Sequence, residues 1–385
     1  MKKKILIVTL NDYIIYQPTI LNLYDALSVD FEVKVISFEP MFSTRQKDAN
    51  RNIVYLETKF LAGQFFAKFD FLISKMTKVV KKLSPGYTYY HKYYNWYLPS
   101  ILKRALKNYE DTPDIVIAAD FPALHVAQQF FNKVHLLSLE IENNTNRYYK
   151  LIDKTRIRSV VIQSQMRYDY LLGETNIKKF IIPNSPVFIP SNESQKLRRD
   201  FIWAGSIDRR LAVMECLNFF KQHPELKLVL KGGGDKKTKK LIDKRYGDLL
   251  RSGQVVINRE YLPENEFIDF LSGYKIGFCF YSWDLIKASF NYYSAPSGKL
   301  LMCMAAGVPI VGCNIPGFKF VEEYGAGVLI DSYEPSVIFN AIQKIQQDYN
   351  TYAAACYRIA ADYSFEKNVA PYVLYLKEEA GIADK

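Results

Sequence analysis

Apolar residues along the chain fall into short β-branched runs that alternate with longer stretches of helical spacing. Residues 5–9, 33–38, 53–56, 115–119, 136–139, 160–163 and 180–183 read as strands, and segments such as 19–27 have helix length. Pro186, Pro190, Ser191 and Asn192 then break the pattern, and polar residues run to Asp200. A second series of strands follows at 201–203, 226–230, 255–258, 276–280, 309–312 and 328–330. Strand–helix alternation implies a parallel sheet covered on both faces. The expected class is therefore α/β, with two tandem Rossmann-like doubly wound domains facing a central cleft. The expected boundaries are a first domain over 1–190, a linker over 191–199, a second domain over 200–363 and a closing helix over 364–385.

Composition agrees with this division. The 385 residues exceed what one hydrophobic core usually spans, and 49% apolar residues exclude global disorder. No apolar stretch is long enough to cross a bilayer. The opening Met-Lys-Lys-Lys-Ile-Leu-Ile-Val-Thr-Leu-Asn reads as a first strand, because Asn11, Asp12 and the lack of a small-residue cleavage site argue against a signal peptide. Five cysteines without metal-like spacing are expected as reduced thiols in a cytoplasm, and four scattered histidines predict no metal site.

Charge changes the picture in one region. Net charge is +11, and residues 1–198 hold 28 Lys plus Arg against 18 Asp plus Glu, while the remainder is nearly balanced. Within residues 59–107 lie ten basic side chains, one acid (Asp70) and twelve aromatics. Two readings stand: a face that covers the protein's own core, or a peripheral dock on an anionic membrane surface at the inner face of the membrane. No nucleic-acid motif accompanies the segment, so no nucleic-acid partner is expected.

Candidate chemistry concentrates in the stretch Ser-Ala-Pro-Ser-Gly-Lys, residues 294–299, set before an apolar run. A helix beginning there leaves the N–H groups of Ser297, Gly298 and Lys299 without intrahelical partners, at the positive end of the dipole. The stretch is either a structural loop or an anion cradle.

In order, "FIWAGSIDRR", "LKLVLKGGG", "VVINREYLPENEFIDFLSGYKIGFCFYS", "SAPSGKLLMCMAAGVPIVG" and "YSFEKNVAPYVLYLKE" resemble the pieces of GT-B glycosyltransferases, family 4-like. The resemblance implies a GT-B fold whose last helix crosses back to the first domain. It also implies transfer of a sugar, with retention, from a nucleotide diphosphate sugar to a hydroxyl of a glycan or polyprenyl-linked acceptor. Docking of residues 59–107 on a membrane would bring such an enzyme to a lipid-linked acceptor, as in surface polysaccharide synthesis, and no cofactor beyond the co-substrate is expected. Gly205, Ser206, one of Arg209 and Arg210, Ser297, Gly298 and Lys299 are then the diphosphate site. Lys231 and Gly232 end a strand beside it, with Lys231 either in the cleft or solvated. Glu260, Tyr261 and Leu262 frame the base by resemblance, with Tyr261 a wall or a buried residue. The family's two donor-site glutamates fall at Ser294 and Met302, neither of them acidic. In the first domain, Asp120 either orients or deprotonates an acceptor hydroxyl or caps the helix near Pro122. Glu140 is the second catalytic candidate, and Asp12 and Tyr13 follow the first strand. Two other functions on the same fold are a non-catalytic nucleotide-sugar-binding scaffold and a nucleotide-sugar epimerase.

Overall fold

The computed structural model describes residues 2–11, 14–39, 47–58, 97–141, 148–187, 199–294 and 296–382. The chain forms two compact units. The first comprises Met1–Ile162, Tyr168–Ile181 and Val369–Lys385, and the second Gln163–Arg167 and Ile182–Asn368.

The first unit runs β1 (Lys4–Val8), α1 (Pro18–Ser28), β2 (Glu32–Phe38), β3 (Ile53–Leu56), α2 (Leu98–Lys107), β4 (Ile115–Ala119), α3 (Asp120–Ala127), β5 (Val134–Ser138), β6 (Ile157–Ile162), the part of α4 (Gln165–Leu172) from Tyr168 onward, and β7 (Lys178–Ile181); residues 165–167 of α4 belong to the second unit. Its seven strands are all parallel, in the order β3-β2-β1-β4-β5-β6-β7. Every residue of β4 and β5 is buried, which explains the unbroken apolar sequence of β4: a central parallel strand has no wet face.

The second unit runs β8 (Arg199–Ala204), α5 (Val213–Gln222), β9 (Leu228–Lys231), α6 (Lys236–Arg251), β10 (Val255–Asn258), α7 (Glu264–Ser272) and β11 (Tyr274–Cys279). It continues through α8 (Trp283–Ala288), α9 (Phe290–Ser294), α10 (Gly298–Ala305), β12 (Ile310–Cys313), α11 (Lys319–Tyr324), β13 (Gly327–Ile330), α12 (Pro335–Gln347) and α13 (Tyr349–Asp362). The six strands are parallel, in the order β10-β9-β8-β11-β12-β13. Strand β8 shows how the sheet is covered. Phe201 and Trp203 pack into one core with Leu217 and Ile242, while Ile202 and Ala204 pack into the other with Leu300 and Met304. Period-2 alternation thus feeds two apolar layers.

In both sheets the strand order reverses beside the opening strand, between β1 and β4 and between β8 and β11. Ligands of doubly wound sheets bind outside the carboxyl ends of the strands at such a reversal. Asp120 follows β4, and Gly205 follows β8.

Helix α14 (Phe365–Glu379) ends the chain, and its residues from Val369 onward belong to the first unit. There Tyr372 and Leu376 are fully buried, and the Tyr372 ring lies 5.0 Å from Phe180. All five cysteines are buried as thiols, none of them in a disulfide. Among the described residues, no helix is long and apolar enough to cross a membrane.

Some expectations need adjusting. Residues 191–198 of the expected linker lie outside the described residues, and Arg199 already opens β8. Residues 59–96 of the basic aromatic segment, with Asp12 and Tyr13, also lie outside them. The remaining part of that segment is α2, which buries Leu98, Leu102 and Leu106 in the first unit's core and leaves Lys103, Arg104 and Lys107 exposed. The helix expected near Pro122 begins at Asp120.

Candidate functional site

In the second unit, two tight turns meet the start of a helix. β8 and β9 run in register, Ala204 opposite Lys231. The Gly205 N–H donates to Lys231 O at 2.9 Å, and the Gly232 N–H to Asn258 O at 2.9 Å. Both glycines have positive φ, +112° and +146°. A Cβ on Gly232 would lie 2.0 Å from the Gly205 carbonyl oxygen, so only glycine fits. A Cβ on Gly205 would lie 3.3 Å from Cδ of Lys299. The turn after β8 therefore rests directly on the first turn of α10.

Lys299 is the chemically telling residue. Its Nζ is buried and has no hydrogen-bond partner among the described residues. It lies 4.9 Å from the Tyr281 ring centre and 5.1 Å from that of Trp203. Cation–π contacts recover part of the lost hydration, but a desolvated ammonium without an acceptor is costly. Ser297 opens α10, and its hydroxyl lies near the Cys279 thiol and the Tyr281 phenol. Gly298 packs on Asn184, whose Nδ2 would be 3.0 Å from an added Cβ. A buried cation, two glycine turns and the N–H groups of a helix start make an anion site. The thiols beside it are not activated. Burial pushes the Cys303 and Cys313 thiols up to about 12 and raises Cys279 as well, so all three stay protonated at neutral pH.

The other expected donor residues fall around this nucleus in different states. Ser206 is exposed, and its carbonyl accepts from Trp203 Nε1 at 3.2 Å. Arg210 forks onto Asp208, Nη2 to Oδ2 at 2.7 Å and Nε to both oxygens, which holds the Asp208 carboxyl below its usual range. Its charge is thus already matched, whereas Arg209 is exposed. Lys231 is 3% exposed, so it is not solvated; Nζ donates to Asn258 Oδ1 at 2.9 Å and Glu260 O at 2.8 Å. It therefore acts on the loop of Glu260, Tyr261 and Leu262 by fixing its backbone. Tyr261 is 68% exposed rather than buried. Met302 is half-buried against the apolar layer beneath α10.

Ser294 is 1% exposed and stands beside a residue that sequence reasoning missed. Arg167 Nε donates to Ser294 Oγ at 3.3 Å. The only local signal was spacing: Arg167 lies four residues before buried Leu171, on the apolar face of α4. Trp203, Tyr281 and Asn184 were missed because packing alone brings them to Lys299 and Gly298.

In the first unit, Asp120 has φ +62°, unusual for a residue other than glycine. Its Oδ1 accepts from the N–H groups of Leu139 and Glu140 at 2.8 and 3.0 Å. The carboxylate therefore ties the end of β4 to the loop after β5, which corrects the capping alternative: α3 has no side-chain cap. Glu140 is exposed and lies beyond β5, which ends at Ser138. A cavity lined by Lys34, Ile36, Leu56, Tyr109 and Asp111 shares no residue with either group.

No family model matches the chain, and no curated protein matches it. Solved structures do. A glycosyltransferase from Rickettsia africae matches with TM-score 0.66 and 13% identity, covering 99% of this chain and 100% of its own. A UDP-forming α,α-trehalose-phosphate synthase from Burkholderia xenovorans matches with TM-score 0.66 and 12% identity over 100% of both chains. HepE of Anabaena, solved in complex with UDP, matches with TM-score 0.63 and 12% identity over 100% of both chains. The chain has the two-domain α/β fold of these GT-B glycosyltransferases.

Proposed function

We propose that the protein transfers a sugar from a UDP-sugar to an acceptor hydroxyl. What supports this reading above all is Lys299, a buried ammonium without a partner at the start of α10. The leaving diphosphate gains charge as the bond from the sugar C1 to its oxygen breaks, and fixed donors in a dry site are worth most there. Lys299, the Gly205 and Gly232 turns and the α10 dipole supply those donors without a resident metal ion. UDP is preferred because HepE was solved with it and the trehalose-phosphate synthase releases it. The new bond forms between C1 and the acceptor oxygen, whose proton passes to the leaving diphosphate; Asp120 and Glu140 are the first-unit candidates for orienting that hydroxyl. A glycan or lipid-linked acceptor, retention of configuration and a place in surface polysaccharide synthesis complete the proposal. Residues 59–107 would dock it on an anionic membrane.

A second reading is a nucleotide-sugar-binding protein without turnover. Ser294 and Met302, where the resembling family has acids, and the matched charge of Arg210 favour it. Incubation with a panel of UDP-sugars separates the two. Slow release of UDP supports the transferase, binding without release supports the scaffold, and neither outcome would leave the donor-site reading without support.

A further inference from the structure

Arg167 is 1% exposed, and its guanidinium carries five N–H donors in a rigid fork. Most of them converge on one short stretch. Nε reaches Ser294 Oγ at 3.3 Å, and Nη2 reaches Asn291 O at 3.1 Å and Asn291 Oδ1 at 2.5 Å. Nη1 donates to Gln163 Oε1, one turn away. All four residues belong to the second unit.

The stretch so gripped is α9, five residues long. A helix of that length does not hold itself in water, so its place is set by what it packs against. Ser294 Oγ also donates to Phe290 O at 2.7 Å, which links the end of α9 to its beginning. Two residues beyond Ser294, Pro296 has its φ restricted by its ring, and Ser297, Gly298 and Lys299 then open α10. A shift of Ser294, three residues before Ser297, would carry along the chain to the first turn of α10, and charged contacts are sensitive to shifts of about 1 Å.

We infer that Arg167 is the positioning residue of the diphosphate site. It acts through Ser294 and Asn291 on the first turn of α10; this inference rests on the donor-site reading above. Lysine at this position keeps the charge but loses the planar fork, so it cannot hold both partners at once.

Calorimetry with UDP and with uridine, beside melting curves, tests the inference on wild type, Arg167→Lys and Asn291→Leu. Arg167→Lys is expected to fold, to raise the Kd for UDP roughly tenfold and to change that for uridine less than about twofold. Asn291→Leu should raise the UDP Kd by a smaller factor in the same sense. It also serves if Arg167→Lys does not fold. Adding it to Arg167→Lys should cause little further loss, because both remove one link. A merely stabilising role would lower the melting temperature and leave both affinities of the folded protein unchanged, which would overturn the inference. Parallel losses for UDP and uridine would overturn it too. Equal UDP affinity in wild type and folded variants would sink the inference alone, whereas absence of UDP binding to wild type would sink the donor-site reading with it.

Discussion

At the scale of single residues, Lys299 and the glycine turns set function against stability. Replacing Lys299 by Met removes a buried charge that has no acceptor. The unliganded protein should gain about 1–3 kcal/mol, read as a higher urea midpoint. The same variant should bind UDP at least about tenfold more weakly, since a charge-assisted bond is worth about 1.5–3 kcal/mol. Arg210→Ala should lose less UDP affinity than Lys299→Met, because Asp208 already holds Arg210. A destabilised Lys299→Met would mean that the ammonium has a partner in the free protein. The neighbouring glycines allow a sharper comparison. Gly232→Ala meets the Gly205 carbonyl at 2.0 Å with φ +146°, and should cost roughly 2–4 kcal/mol. Gly233→Ala meets nothing within 4 Å and should stay within about 0.5 kcal/mol. Thermal melts of the two variants that coincide would refute the close approach of the turns.

At the scale of elements, α14 docks on the first unit over a buried titratable group. His135 is 2% exposed, with Nδ1 paired to Ser159 Oγ at 2.8 Å. Burial, with a smaller push from Arg158, brings its pKa down to about 3. Tyr372 and Tyr375 of α14 flank the ring, and Glu379 Oε2 lies 3.5 Å from Nε2 while its Oε1 accepts from Arg158 at 3.0 Å. The folded pKa is below the unfolded value near 6.5, so the neutral ring favours folding above that pH. This contribution is lost as pH falls from about 6.5 toward 3. Urea unfolding of wild type should therefore lose more stability between pH 7 and 4.5 than that of His135→Asn. Identical pH slopes would show that the ring is protonated without cost, with Glu379 as its counter-ion.

At the scale of the whole molecule, both candidate groups sit where a parallel sheet reverses its strand order, Asp120 beside β1 and β4, Gly205 beside β8 and β11. The anion site is built from second-unit residues alone. UDP at about 100 times its Kd should stabilise that unit by about 2.7 kcal/mol. Hydrogen exchange should then slow mainly within residues 199–368, around Gly205, Gly232 and Lys299. Protection centred on residues 4–162 instead would place the nucleotide in the first unit and overturn the assignment.

The sequence by itself determined the class of fold and singled out the glycine turns and the helix start on which the proposed donor site rests. Alternation of apolar runs has the period of strands and helices, and that local signal survives into β1–β13. Gly205, Gly232, Gly298 and Lys299 were legible because turns and helix starts depend on residues adjacent in the chain. Beyond Arg210, which cations were already matched was decided only by tertiary structure. Arg210 met Asp208 only two residues away, a local match, whereas Lys231 turned onto distant Asn258 and the Glu260 carbonyl, and Lys299 was left between two aromatic rings. Arg167 and Ser294 lie 127 residues apart in sequence. No local pattern encodes such a contact, because the energy of a buried hydrogen bond depends on which distant groups share the same dry volume.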